Sequence, residues 1–181
     1  LRFMQSHSIN NNDERQGLEA HLLTLKGVKQ CKVLENYTNQ MDANGVEPHS
    51  LNVIILGGDD SAIGEAILKK KIGGCGVQGQ TKVEVNFLGQ KREVKFDRPT
   101  QINPKIVLRL KRTEGATDIN TGKIKDLLSE YIFSIGEDIY ISRLYSIINE
   151  VKGFEVTQFS INGGQHLVVG VREVCVINKA D

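Results

Sequence analysis

The stretch that decides the fold is VEPHSLNVIILGGDDSAIGEAILKKKIGGCGVQGQ, residues 46–80. Leu51–Leu56 is a continuous apolar run, the pattern of a strand buried on both faces. Gly57-Gly58 then breaks it, and Asp59 or Asp60 is placed to cap a helix running to about Lys71, with Ile63 and Ile67 on one face. Strand, glycine pair and helix in that order also describe a phosphate-binding loop, which aims backbone N–H groups at an anion. The chemistry of such a loop is missing. Neither G-x-x-x-x-G-K-[ST] nor G-x-G-x-x-G occurs here. Two carboxylates at the helix start repel a phosphate and suit the helix dipole instead. The later GGCGVQG follows the helix C-terminus, the wrong end for an anion.

Outward from this stretch, the chain reads as alternating short helices and strands. Residues 1–12 are a polar, Asn-rich lead-in. Asp13 is placed to cap a helix over Glu14–Lys26 with Leu18, Leu22 and Leu25 at helical spacing, and Gly27 ends it. Cys31–Glu35 is a short strand, and NYTNQMDANGVEPHS is loop. Val83, Val85 and Phe87 alternate with polar residues, as do Val94 and Phe96 beyond Gly89, so 81–97 is a β-hairpin. Gly64 sits inside a helix, where glycine costs about 1 kcal/mol against alanine, which predicts close packing there.

The second half begins after DRPTQINP, whose two prolines mark 99–104 as a linker. Ile106, Leu108 and Leu110 face one way on a strand. Ile124, Leu127, Leu128, Tyr131 and Ile132 form a helical stripe. A second helix starts near Ser142 and carries Leu144, Ile147, Ile148 and Val151. Strands over Glu155–Ile161 and Leu167–Ile177, joined at Gly163-Gly164, complete the chain, with a break expected at Gly170. LKGVKQCKV (25–33) and VKGFEVTQF (151–159) echo each other as helix end, Lys-Gly and strand. The expected fold is α+β: a first module over 13–98 and a second over 105–181, each with helices on short mixed or antiparallel sheets.

Composition narrows the function. A net charge of +1 argues against a dedicated nucleic-acid binder, and no apolar run reaches membrane-spanning length. Cys31, Cys75 and Cys175 are odd in number and widely spaced, unlike a disulfide framework. His7, His21, His49 and His166 lie in no zinc-ligand spacing, and GGDD lacks further oxygen ligands to hold a metal. A Cys75–His49 dyad needs an orienting third group that the sequence does not supply. Lys69, Lys70, Lys71, Lys91, Arg92, Lys95 and Arg98 make a basic set diluted by Glu93 and Asp97, without aromatics for base stacking. No catalytic, cofactor-binding or metal residue is assigned.

The order of several segments resembles the baseplate J-like protein family of phages with contractile tails and related injection machines. The resemblance rests on GVKQCKVLENYTNQMDANGVEPHSLNVIILGGDDSAIGEAILKKKIGGCGVQGQTKVEV, VKFDRPTQINPKIVLRL and GEDIYISRLYSIINEVKGFEVTQFSI, and covers about Asp13 to Ile177. Family members are longer on the N-terminal side, so it implies a C-terminal portion. Cys75 and Gly64 depart from the apolar residues more usual there. The resemblance implies a non-enzymatic wedge component of a virion baseplate, made in the bacterial host cytoplasm, with no cofactor. The implied partners are other wedge proteins, tail-tube proteins and copies of itself, with neither nucleic acid nor membrane. Lys91, Arg92 and Lys95 on the hairpin are the candidate interface residues. The competing reading is an enzyme binding a small molecule or nucleotide through the Gly-rich stretch 57–79.

Overall fold

The computed structural model describes residues 14–71, 74–116 and 118–179, and the fold is α+β. The chain divides into two compact units, one ending at Pro99 and the other beginning at Thr100.

In the first unit, α1 (Glu14–Leu23) leads into β1 (Val28–Asn36), which pairs antiparallel with β2 (Ser50–Gly57). Helix α2 (Asp60–Lys70) follows β2, and β3 (Gly76–Gln78) returns parallel to it, giving the sheet order β1-β2-β3. Strands β4 (Thr81–Phe87) and β5 (Gln90–Phe96) form the hairpin. Leu18 and Leu22 of α1, Val53 and Ile55 of β2, Ile63 and Ile67 of α2, and Val94 and Phe96 of β5 meet in one apolar core. Burying side chains of this size stabilises by about 1.5–3 kcal/mol each. Gly64 explains how α2 comes so near the hairpin: a Cβ there would lie 2.9 Å from Val85 Cγ1.

Helix α1 stops at Leu23, short of the expected Lys26. The Thr24 hydroxyl bonds the His21 carbonyl at 2.7 Å, and Gly27 turns the chain with φ +83°. The cap expected of Asp13 lies outside the described residues.

The second unit holds β6 (Thr100–Ile102), β7 (Ile106–Arg112), α3 (Thr121–Glu130), β8 (Ile139–Tyr140), α4 (Ile141–Ile148), β9 (Phe154–Ile161), β10 (His166–Leu167) and β11 (Glu173–Cys175). Strands β7 and β9 pair antiparallel, β8 and β10 likewise, and β6 runs parallel to β11. The core joins Ile124 and Leu128 of α3, Leu144 and Ile148 of α4, Ile161 of β9, and Phe133.

Several expectations are corrected here. Part of the expected linker, 99–104, is β6: Thr100 N bonds the Arg172 carbonyl at 3.0 Å, and a distant strand supplies the partners that the prolines could not forecast. The stripe ending at Tyr131 and Ile132 overruns α3; Tyr131 is extended, and Ile132 is exposed. Ser142 lies inside α4, whose cap is Tyr140 without a side-chain bond. The break expected at Gly170 is present: Gly170 N donates to Glu173 Oε2 and Glu173 N to the Gly170 carbonyl, closing a turn between the short strands β10 and β11. The turn after β9 is Asn162-Gly163, both at positive φ, rather than Gly163-Gly164.

The Lys-Gly echo is structural at the glycines alone. Gly27 and Gly153 share positive φ. Yet β1 pairs with the strand that follows it, whereas β9 pairs with one that precedes it. A shared helix-to-strand turn accounts for the likeness.

Candidate functional site

The Gly-rich stretch closes on itself as a structural joint. Gly57 and Gly58 both take positive φ, at +79° and +81°. At Gly57 a Cβ would fall 2.3 Å from the Gly27 carbonyl oxygen, so backbone meets backbone where no side chain fits. The Asp59 carboxylate accepts the Ala62 N–H at 3.0 Å and caps α2.

Arg98 fills the space on the carbonyl side. Its Nη1 donates to the Ile55 and Gly57 carbonyls at 3.1 and 2.5 Å. Its Nη2 donates to the Gly58 carbonyl at 3.1 Å and to the Asp60 carboxylate. The guanidinium also lies 5.2 Å from the centroid of the Phe96 ring. One planar cation thus gathers the end of β2, the glycine pair and the first turn of α2, a task suited to the rigid fork of arginine. Arg98, grouped by sequence with the basic set, is therefore committed to this joint.

Its neighbour Asp97 ties the same strand from the other direction. Asp97 N donates to the Val53 carbonyl at 2.7 Å, and its own carbonyl accepts from Ile55 N at 3.0 Å. The carboxylate accepts from Asn52 Nδ2 at 2.8 Å and from Gln80 N at 2.7 Å, so this buried charge is met by donors. Asn36 performs a similar task for the loop after β1. Its amide donates to the Gln40 and Val46 carbonyls, and its carbonyl accepts from Thr38.

The interface candidates are split by the pleat. Strand register puts Arg92 opposite Val85, on the face turned toward α2, whereas Lys91 and Lys95 share the outward face. Lys91 reaches Glu84 at 3.9 Å, and Lys95 reaches Glu93 at 3.7 Å, both pairs well exposed and weak. Elsewhere in the basic set, Lys69 pairs with Glu65 at 3.3 Å. Burial first, and then the charges of Lys70 and Lys69, hold the His21 imidazole below its ordinary range.

Cys75 and His49 are close without forming a dyad. The thiol donates to the His49 backbone carbonyl at 3.3 Å, while the imidazole Nε2 bonds Asn39 Oδ1 at 2.8 Å. Burial and then Glu35 push the Cys75 thiol up, with Lys71 opposing, the reverse of an activated nucleophile. Among the described residues no group of His, Cys, Asp and Glu is arranged to hold a metal ion, and no helix is long and apolar enough to cross a membrane. No protein-family model matches the chain, and no curated protein matches it.

Sequence reasoning missed Asp97 and Arg98 as a joint. The signal was present in FDRP, where an acid and a base follow the apolar end of a strand immediately before a proline.

Proposed function

We propose that the chain is a non-enzymatic structural component of the baseplate of a contractile phage or prophage tail, a wedge protein that acts by protein–protein assembly. The observation that carries this reading is the joint itself. Arg98 ties the carbonyls of the glycine pair to Asp60 in the first turn of α2, and the Asp59 carboxylate takes up Ala62 N–H, one of the helix-start donors that a phosphate would need. The ordered segments shared with the baseplate J-like family support it further. Its partners are then neighbouring wedge and tail-tube proteins and copies of itself. It resides in the virion baseplate after passage through the bacterial host cytoplasm.

Gold-labelled antibody on tail particles from the source cells tests this. Label concentrated at the baseplate end is the expected result. Label absent from intact and partly disassembled particles alike would overturn it. A nucleotide-dependent rise in melting temperature would overturn it in favour of ligand binding, since ligand at 100 times its dissociation constant stabilises by about 2.7 kcal/mol.

A further inference from the structure

The outward face of the hairpin carries an arrangement that its own fold does not favour. Lys82 stands directly opposite Lys95, and Glu84 directly opposite Glu93. Like charges in such positions repel. Lys91 on Glu84 and Lys95 on Glu93 relieve this only at 3.9 and 3.7 Å and in solvent. The far edge of β4 pairs with no strand among the described residues. With Phe87 and Gln90 closing a two-residue turn, alternation along the ladder directs the N–H and C=O groups of Lys82, Glu84 and Asn86 toward that edge.

We propose that β4 pairs edge to edge with β4 of a second copy, antiparallel about a two-fold axis at Val83, making one four-stranded sheet from two hairpins. Charge selects this register. With Val83 opposite its own counterpart, Lys82 of each copy meets Glu84 of the other. Each row across the outward face then reads Lys, Lys, Glu, Glu, so a like-charged pair in one hairpin abuts the opposite pair in the next. Centring the axis on Lys82 or Glu84 instead would set identical charges together. On the inner face the same register places Val83 on Val83 and Thr81 on Val85, all β-branched residues suited to cross-strand contact. A one-residue slip would put the apolar face against the charged one. The contact is isologous, so it closes as a dimer. It adds a specific self-contact to the assembly reading and can fail while that reading stands.

Sedimentation velocity of the full chain over rising concentration tests the contact. A dimer is expected, with amide exchange slowed at Lys82, Glu84 and Asn86 as it forms. Lys82→Glu alone, or Glu84→Lys alone, puts like charges at both symmetric contacts and is expected to weaken the dimer roughly tenfold or more. Each substitution also removes a like-charged pair from its own hairpin, so neither variant should melt below wild type as a monomer. Mixing the two single variants restores both opposite pairs and should restore dimer to about the wild-type level. A chain that stays monomeric throughout overturns the proposal, even with gold at the tail end. So does a dimer indifferent to both variants, or a mixture no tighter than the variants alone.

Discussion

Each unit sets helices against an antiparallel strand pair, but the two are held differently. The first buries Asn36, Ser50, Asn52 and Asp97 and closes over the fork of Arg98. In the second, every buried residue with a side chain among those described is apolar, and Leu144, Ile148 and Phe133 fill its centre. Directional bonds fix which backbone atoms meet; apolar packing tolerates small displacements so long as volume is kept. The first unit is thus specified by partners, and the second by shape.

The largest effect should come from breaking shape. Leu144→Ala is expected to cost about 3–4 kcal/mol by loss of burial plus a cavity, read as a shift in the urea midpoint of exchange-protected amides in β7 and β9. Arg98→Ala should cost about 3 kcal/mol in the first unit, because carbonyls of Ile55, Gly57 and Gly58 lose their donor. Arg98→Lys should recover little, since a lysine cannot span those acceptors as a planar fork does. Near-complete rescue by lysine would show that charge, not direction, holds the joint.

A smaller effect is expected at Gly64. Alanine improves helix propensity by about 1 kcal/mol, but its Cβ would sit 2.9 Å from Val85, a stiff β-branched side chain. A net loss of about 1 kcal/mol should appear on denaturation; a net gain would mean that the helix-to-hairpin contact yields.

The smallest effect sharpens the comparison at the two tight turns. Asn162-Gly163 in the second unit uses residues at ease with positive φ, whereas Leu88-Gly89 in the first puts an exposed leucine at φ +52°. Leu88→Asn should stabilise by about 0.5–1 kcal/mol, measured as a higher melting temperature.

What was legible in the sequence was local. The strand at β2, a cap at Asp59 or Asp60 and the alternation of β4 and β5 declare themselves within a few neighbours, and the bond from Ala62 N then selects Asp59. Periodicity also placed Ile63 and Ile67 in the core. It could not say where α3 ends, because Tyr131 and Ile132 keep the spacing after the hydrogen bonding has stopped. Arg98 was illegible for another reason: its acceptors lie about forty residues earlier, and a surface lysine and a half-buried arginine look alike in charge patterning. A still longer separation hid β6, whose partner β11 comes near the end of the chain.

Each unit also encloses one thiol, Cys31 in the first core and Cys175 in the second, while Cys75 is only half-covered. Burial raises both core thiols, that of Cys175 to about 11, so neither reacts readily while its surroundings hold. The molecule therefore contains its own pair of clocks. Under a thiol-modifying reagent, Cys75 marks the start, and the two slower labels time the opening of one unit and of the other within a single unmodified chain.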